Sequence, residues 1–419
     1  MPSVPIEPTA EHNHTPWHSA ARRLRSLFAG AACVAVLLGC GGEGGNESGT
    51  APAEAQPLAL SATGASTSDH SEHGPYVNES GPASAAAPSQ ALSATGLQTT
   101  DHSGHGPYIN NALIPPPVAT SFDTVMISAT DEQPVDSDSG AFRTTCGYAH
   151  MLYDDPIVFP NQPRQSHLHT FFGNTGVTAA STAESIRTEG NSTCRGGLAN
   201  RSAYWVPSMI DTLDGRPLVP KSSQFYYKLG DKRLDATQVQ PLPEGLRMIA
   251  GDAKNAAPSG PFWFNCKGGS NFKNIQNCPV GTDLYQNISF PQCWDGRNLD
   301  SADHKSHMAY AETNKQNKTV ACPATHPVLL PEITFRIVYA VSEANAPTRW
   351  RLSSDMYDPA LPAGYSSHGD WFNGWQKSVN ESWTAACVRA RKDCHSHLIG
   401  VWPLGLTGKN SRINGSPPQ

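Results

Sequence analysis

Short apolar runs bounded by proline or glycine recur through the C-terminal two-thirds of the chain. Five of these runs are rich in β-branched and aromatic residues, which is typical of β-strands. They are Ser202–Val206, Gln224–Lys228, Leu246–Ile249, Ile333–Val341 and Trp350–Ser353. Long amphipathic helical patterns are scarce. Glu381–Arg391, with an apolar stripe that includes Trp383 and Val388, is the best candidate helix.

The N-terminal region has a different pattern. The basic stretch Arg22–Arg25 precedes an apolar run, Leu27–Leu38, that is too short to span a bilayer as a permanent helix. The run ends in Leu37-Leu38-Gly39-Cys40, and this order resembles a bacterial lipobox. Residues 1–39 are therefore predicted to be a lipoprotein-type signal peptide, and Cys40 is predicted to be lipidated. The resemblance implies export and anchoring at the bacterial cell envelope, on the outer membrane or the cell surface, with secretion as the alternative.

Residues 40–120 are mostly Ala, Ser, Thr, Gly and Pro, so they cannot bury enough apolar surface to offset their ordering entropy. We expect a disordered tether here, followed by a globular domain over residues 121–406 and a flexible tail over 407–419. The tether carries two copies of Asp-His-Ser-x-His-Gly-Pro-Tyr, at Asp69–Tyr76 and Asp101–Tyr108. The duplication is interpreted as linker expansion, with loose capture of a transition metal by each copy as the alternative.

The apolar pattern predicts a mainly β fold, a disulfide-braced single domain of sandwich or jelly-roll type with long loops, with α+β as the alternative. Its eight cysteines are Cys146, Cys194, Cys266, Cys278, Cys293, Cys322, Cys387 and Cys394. An even number in an exported domain indicates up to four disulfides, and their pairing stays open. The pairs Cys266–Cys278 and Cys387–Cys394 are plausible because they are close in sequence. A cysteine zinc site ranks behind, since no C-x2-C occurs.

Charge excludes one class of partner. Charged residues make up only 16% of the chain and its formal net charge is −6, so no basic surface for nucleic acid is expected.

Histidine pairs are the main candidates for chemistry. His167 and His169 are two residues apart, so a strand here would put both imidazoles on one face and Leu168 on the other. Two adjacent imidazoles can ligate a metal or divide acid and base roles between them. Hydrogen-bonded structural histidines on a half-buried strand are the alternative.

Three other segments repeat the theme. His304 and His307, in Asp303–His307, have the i, i+3 spacing of neighbours on one helical turn. Asp370 follows His368 by two residues, and Asp393–His397 repeats the His-x-His spacing. Together these segments predict a histidine-rich cleft. Asp154-Asp155-Pro156 is interpreted as a turn, with a cation site or a glycosidase carboxylate pair as alternatives.

Many of these segments, in this order, resemble a known family. They are Cys146–Pro160, Ser166–Asn174, Ser192–Gly197, Asn200–Pro207, Gly245–Asp252, Phe290–Gly296, Asp303–Tyr310, Leu352–Met356, His368–Trp375 and Asp393–His395. In content and order they resemble DUF1996, a secreted family of fungi and bacteria with no assigned function, over about residues 140–405. Its members sometimes stand beside carbohydrate-binding WSC modules, and this association implies work near polysaccharide walls.

Two chemistries fit a histidine-rich cleft. A divalent metal, held by His167, His169 and His304, could activate water for hydrolysis. Without a metal, His and Tyr could act as base and acid while Arg or Lys stabilises a carboxylate-bearing sugar. The cofactor is therefore unknown, with a divalent metal ion as the candidate. The candidate catalytic residues are His167, His169, His304, His307, His368, Asp370, Tyr310 and Arg201.

The leading functional hypothesis is a lipid-anchored hydrolase or lyase that acts on extracellular polysaccharide. The alternative is a non-catalytic envelope lipoprotein that binds glycan or metal. Trp263, Trp294, Trp371 and Trp375 stand near Gly, Asn or Asp, where an exposed indole could stack on a sugar ring. Packing in the core is nevertheless the favoured interpretation for each of these tryptophans.

Overall fold

The computed structural model describes residues 106–118, 124–400 and 404–406. The predicted signal peptide, the lipidation site Cys40, most of the tether and the tail over 407–419 lie outside the described residues. Among the described residues, no helix combines the length and apolar character needed to cross a bilayer.

Short strands dominate the structure, as the apolar runs predicted. In chain order they are β1 (Ile127–Ala129), β2 (Val135–Asp136), β3 (Ala141–Thr145), β4 (Tyr148–Leu152), β5 (His169–Gly173), β6 (Ala203–Pro207), β7 (Met209–Asp211), β8 (Arg216–Pro217), β9 (Ser222–Lys228), β10 (Arg247–Gly251), β11 (Phe262–Cys266), β12 (Asp283–Ser289), β13 (Cys293–Trp294), β14 (Met308–Ala309), β15 (Glu312–Thr313), β16 (Val320–Ala321), β17 (Val328–Leu329), β18 (Glu332–Ala340), β19 (Trp350–Leu352), β20 (His368–Phe372), β21 (Lys392–Asp393) and β22 (Leu404–Leu406).

Helical segments are few and short among the described residues. The α-helices are α1 (Ser185–Thr188) and α2 (Lys377–Trp383), and α2 continues as a π-helical segment, Thr384–Arg389. Single 3-10 turns occur at Asn111–Leu113, Ala236–Gln238 and Pro347–Arg349. The mainly β prediction is confirmed. The predicted helix Glu381–Arg391 overlaps the end of α2 and the π-helical segment, and the helix begins four residues earlier than predicted.

Two sheets form a sandwich. The first has five antiparallel strands in the order β10-β20-β6-β5-β4. The second has seven strands in the order β11-β12-β18-β9-β3-β21-β2, with only the β21–β3 pair parallel. The five predicted strands correspond to β6, β9, β10, β18 and β19. Of these, β6, β9 and β18 are inner strands of the two sheets, β10 is an edge strand, and β19 belongs to a separate three-stranded sheet with β7 and β8.

Aromatic side chains fill the space between the sheets. Tyr204 of β6 stacks on Phe225 of β9 with ring centroids 3.9 Å apart. The Tyr204 and Tyr227 hydroxyls are 2.6 Å apart, and the Trp375 indole donates to the Tyr227 hydroxyl at 3.0 Å. Trp371 and Trp375 are almost completely buried in this core, so the favoured interpretation is confirmed for both and neither indole is exposed to a sugar. The large apolar area that indoles bury explains their place here.

Four disulfides brace the domain. They join Cys146 to Cys194, Cys266 to Cys278, Cys293 to Cys322, and Cys387 to Cys394. All eight candidate cysteines are therefore paired, and both local pairs proposed from the sequence are confirmed.

Residues 106–118, which were assigned to the tether, contact the domain along β4. The Val118 N–H donates to the Ala149 carbonyl at 2.8 Å, and the Tyr148 hydroxyl donates to the Pro115 carbonyl at 2.9 Å. Ile109 and Ile114 pack against an apolar cluster that contains Leu168. This segment lies along β4, the outermost strand of the five-stranded sheet.

Candidate metal centre

The outer face of the five-stranded sheet carries the candidate site. Along β20, Trp371 points into the core between the sheets, whereas Phe372 belongs to a separate apolar cluster on the other face. Alternation places Asp370 and His368 on the same outer face as Phe372. On β5, Phe172 faces the core in the same way, and His169 shares the outer face with Phe171. The two strands therefore present polar side chains on the face away from the central core.

The chain just before β5 adds His167 to this group. The strand begins only at His169, yet Leu168 is fully buried in a different apolar cluster, with Tyr148 and Ile210. The flanking imidazoles of His167 and His169 therefore lie on one side, with ring centroids 4.2 Å apart. The predicted alternation is confirmed even though His167 lies outside the strand.

Three histidines and two carboxylates meet at this point, and we call His167, His169, His368, Asp155 and Asp370 the histidine pocket. Ligand atoms of the three histidines lie within 4.8 Å of one another, as do those of Asp155, His169 and Asp370. The His368 Nε2 atom is 3.9 Å from Asp370 Oδ2. Groups of this kind at these distances can converge on one metal ion.

Hydrogen bonds fix which ring nitrogens face the pocket. His169 Nδ1 lies 3.0 Å from the Asp154 carbonyl oxygen, and His368 Nδ1 lies 2.8 Å from the Ser366 carbonyl oxygen. A carbonyl oxygen only accepts, so both Nδ1 atoms carry the proton and both Nε2 atoms keep a free lone pair. Metal-binding histidines usually have this arrangement, in which the second ring nitrogen donates to a backbone carbonyl.

Several pocket atoms are buried without a partner. His167 Nε2, His169 Nε2 and Asp370 Oδ2 make no hydrogen bond within the described structure. Buried polar atoms are almost always paired in folded proteins, and an exception requires an explanation such as a bound ion. Three such atoms in one pocket therefore indicate a ligand.

Burial sets the protonation of the imidazoles. It lowers the pKa of His169 and of His368 to about 4, and it lowers the pKa of His167 well below its usual range. Repulsion from the neighbouring imidazoles of His169 and His368 in their protonated forms lowers the pKa of His167 further. All three rings are consequently neutral near pH 7, and the neutral imidazole is the form that binds metal.

Burial shifts the pKa of the two pocket carboxyl groups upward, opposite to its effect on the imidazoles. Burial, reinforced by the charge of Asp155, raises the pKa of Asp370 well above its usual range. Burial also raises the pKa of Asp155, against two backbone hydrogen bonds from Val158 and Ile157. A bound cation would favour the ionised carboxylates and reverse this effect.

The Asp154–Asp155 segment closes the pocket from the loop after β4. Asp155 Oδ1 accepts the N–H groups of Ile157 and Val158, both at 2.9 Å. Asp154 accepts the Arg164 N–H at Oδ1 and a second backbone N–H at Oδ2, each at 2.9 Å. The sequence interpretation as a turn missed the pocket role of Asp155. Two successive acids beside a buried strand were the available signal.

His304 and His307 lie apart from the pocket, in Asp300–His307, which we call the histidine loop. The loop consists of turns, so the predicted helical turn is wrong: Asp303 Oδ1 accepts the N–H groups of the two residues that follow His304. His304 Nδ1 lies 3.0 Å from Asp300. His307 uses both ring nitrogens, one 2.9 Å from the Ser301 hydroxyl and one 2.7 Å from the Arg247 carbonyl oxygen. His304 is therefore not grouped with His167 and His169.

The remaining candidates have structural partners. The Tyr310 hydroxyl donates to the Ser289 carbonyl at 2.9 Å. Arg201 donates to the Gly190 and Arg187 carbonyls at 3.1 and 2.7 Å. Neither side chain belongs to the grouped ligands, and the catalytic roles predicted for all eight residues stay predictions.

A cation stands at the edge of the pocket. Lys305 of the histidine loop donates from Nζ to the Gly251 carbonyl at 2.9 Å, and Gly251 of β10 pairs with His368 of β20. The positive charge of Lys305 lowers the pKa of both Asp370 and His368. The histidine loop thus contributes a charge to the pocket, although its imidazoles do not contribute ligands.

Comparison with known proteins gives one match. A family model described as "Domain of unknown function (DUF1996)" matches residues 155–375, a range that contains all five pocket residues. No curated protein and no solved structure matches the chain.

Proposed function

Because the chain belongs to the DUF1996 family, whose description assigns no activity, we propose from the pocket itself that the domain binds one divalent transition-metal ion. The ligands are His167, His169, His368 and Asp370. The observation that carries this proposal is the set of unpaired buried atoms, His167 Nε2, His169 Nε2 and Asp370 Oδ2. An ion at this point would satisfy all three atoms and offset the cost of burying them.

The hydrogen bond of His169 supports a pocket that holds one ion. His169 belongs to both groups of converging ligands, the three histidines and the set with Asp155 and Asp370. Its Nδ1 is committed to the Asp154 carbonyl, so Nε2 is its only free donor, and one nitrogen lone pair binds one metal. Both groups therefore describe a single centre.

The donor atoms favour a particular class of ion. Imidazole nitrogens suit zinc, copper, iron and nickel, whereas calcium and magnesium prefer oxygen ligands. Three imidazoles with one carboxylate fit zinc or a similar first-row metal. The four disulfides leave no cysteine of the domain free to serve as a thiolate ligand.

Calorimetric titration of the chelator-treated chain with zinc chloride tests the proposal. The tether histidines could add weak sites, so the informative quantity is the difference between the wild-type protein and His169→Gln. We expect the wild type to bind one ion more per chain. Equal stoichiometry in the two proteins would contradict the proposal.

A second proposal is metal-assisted hydrolysis, and the position of Asp155 favours it. When bound, a zinc ion would lower the pKa of a coordinated water. Asp155 lies beside Asp370 and His169 without being needed as a ligand, and beside a bound cation its carboxylate would be ionised and able to accept a proton. We propose extracellular polysaccharide as the substrate class, on the basis of the sequence resemblance and the company of WSC modules.

Release of reducing ends from a panel of polysaccharides would test this activity. We expect turnover by the zinc-loaded protein, and a loss on the order of 10²–10⁴-fold in Asp155→Asn with the metal retained. If the chain binds zinc but cleaves no polymer, the domain is a metal-binding module instead.

Export and anchoring remain proposals from the sequence. We propose that Cys40 carries lipid and holds the domain at the bacterial envelope. Cys40→Ser should then move the protein from the membrane fraction to the soluble fraction. An unchanged membrane fraction would contradict lipid anchoring at this residue.

A further inference from the structure

The function proposed above leaves Lys305 unexplained. Its Nζ donates to the carbonyl of Gly251, the residue paired directly with the ligand His368 across β10 and β20. Gly251 has a φ of +91°, and a Cβ there would lie 2.5 Å from the Ser367 carbonyl oxygen, so this strand end beside His368 requires glycine. The ammonium group is therefore placed beside the metal ligands by a specific backbone contact.

The loop that carries Lys305 is fixed on both sides. The buried imidazole of His307 bonds to Ser301 and to the Arg247 carbonyl of β10. Asp303 accepts the Lys305 N–H at 3.1 Å, and Asp300 pairs with the Arg247 guanidinium at 3.1 Å. These contacts anchor the histidine loop to the same strand that carries Gly251. The two histidines of the loop thus acquire a role as supports for the position of Lys305.

The charge of Lys305 is available for a ligand. None of the ion pairs among the described residues uses this side chain, and its ammonium group has donors beyond the one bonded to Gly251. In a loaded pocket, the two carboxylates balance the divalent ion and the three imidazoles are neutral. Asp154, whose charge also acts on His169, is then the nearby counter-charge of Lys305, and the ammonium donors beyond the one bonded to Gly251 stay free for an oxygen ligand.

We propose that Lys305 and the metal together bind an oxyanion, a carboxylate or phosphate group of the substrate. This inference rests on the metal centre proposed above and names the ligand chemistry of the same site. A charge-assisted hydrogen bond from an ammonium group to an oxyanion is among the stronger polar contacts in proteins. An oxyanion beside the metal would satisfy the centre and the lysine simultaneously.

The proposal separates anion binding from metal binding. A positive charge near the centre repels the metal ion, so removing Lys305 should leave metal affinity unchanged or slightly higher. The same removal should weaken anion binding about tenfold. A lysine with only a structural role would not produce this split.

Cobalt-substituted protein provides the test, because the visible spectrum of Co²⁺ responds to a bound anion. The probes are acetate for the carboxylate and inorganic phosphate for the phosphate, each titrated at constant ionic strength. In the wild type we expect saturable spectral changes, and the tighter probe identifies the group. Lys305→Met should need about tenfold more of that probe, and Lys305→Arg should stay within about threefold of the wild type. Lys254→Met, an exposed lysine near Gly251, is the matched control.

The outcomes distinguish the two proposals. If the wild type takes up no cobalt, the metal centre itself fails and the oxyanion proposal falls with it. If cobalt binds but neither probe changes the spectrum, or if Lys305→Met titrates like the wild type, the oxyanion proposal alone is overturned.

Discussion

The histidine pocket and the histidine loop contain the same residue types in similar spacing, but they use their imidazoles differently. In the pocket, His169 and His368 commit Nδ1 to a backbone carbonyl and leave Nε2 free for a ligand. In the loop, His307 commits both ring nitrogens to protein atoms. The imidazoles of the histidine loop therefore stabilise the fold, whereas those of the histidine pocket keep nitrogen lone pairs available for a ligand.

The two groups therefore have opposite effects on the free energy of unfolding. An unpaired buried polar atom destabilises the fold by about 1–3 kcal/mol, whereas a paired one stabilises it modestly. The pocket therefore lowers the stability of the metal-free protein, and the loop raises it. Measurements of metal binding and stability in parallel should separate the two groups.

The largest expected effect is stabilisation by zinc. A ligand that binds only the folded state at 1,000 times its Kd adds about 4 kcal/mol to the free energy of unfolding. For a domain of this size that corresponds to a rise in Tm of roughly 10 °C. Thermal unfolding with and without zinc measures it. His169→Gln should show almost no rise, and an equal rise in both proteins would place the stabilising site outside the pocket.

The next effect is a pH dependence in the metal-free protein. The pKa of His169 is about 4 when folded, against about 6.5 when unfolded, so the unfolded state binds its proton first as the pH falls. Above pH 6.5 the ring is neutral in both states and gives no pH dependence, and between pH 6.5 and about pH 4 the free energy of unfolding decreases as the pH falls. The raised pKa values of Asp155 and Asp370 act the other way and reduce the net slope.

A comparison with His169→Gln isolates this contribution, because both proteins keep the two carboxyls. Between pH 7 and pH 4 the wild type should lose on the order of 3 kcal/mol relative to the variant. Urea unfolding at a series of pH values measures the difference. A constant difference across this range would show that the imidazole is not buried as described.

The histidine loop should behave in the opposite way. His307→Ala removes two hydrogen bonds from a buried site and should lower the free energy of unfolding by about 2 kcal/mol. Zinc stoichiometry should stay at the wild-type value. Chemical unfolding and zinc titration of the same preparation test both statements. Loss of zinc from a well-folded variant would indicate that His307 is a metal ligand.

The smallest expected effect concerns His304. Its contact with Asp300 is partly exposed, and such polar contacts contribute about 0–1 kcal/mol. His304→Ala should therefore change stability and zinc binding very little. A clear loss of zinc would instead support the sequence-based prediction that His304 is a metal ligand.

Much of the framework could be predicted from the sequence because local patterns determine it. The apolar runs identified the strands on both sides of the core, since burial on a pleated sheet selects β-branched and aromatic residues. The spacing of His167, Leu168 and His169 also predicted two imidazoles on one face. Alternation along an extended chain is a local property, so no tertiary information was needed.

The composition of the pocket depended on tertiary contacts. His368 and Asp370 come from β20, distant in sequence from His169, and only the β20–β6–β5 arrangement brings them together. His307 looked equally promising, because its partners Ser301 and Arg247 could not be identified from spacing. Asp155 was interpreted as a turn residue, and its Oδ1 atom does accept two backbone N–H groups of a loop. Its place beside His169 and Asp370 depends on the fold, so the spacing along the chain could not predict it.

We propose that the histidine pocket binds one metal ion and that the histidine loop binds none. Elemental analysis of zinc retained after gel filtration, in the wild type, His169→Gln and His307→Gln, tests it most directly. We expect equal zinc in the wild type and His307→Gln, and one ion per chain less in His169→Gln. Equal zinc in all three proteins, or a loss confined to His307→Gln, would contradict it.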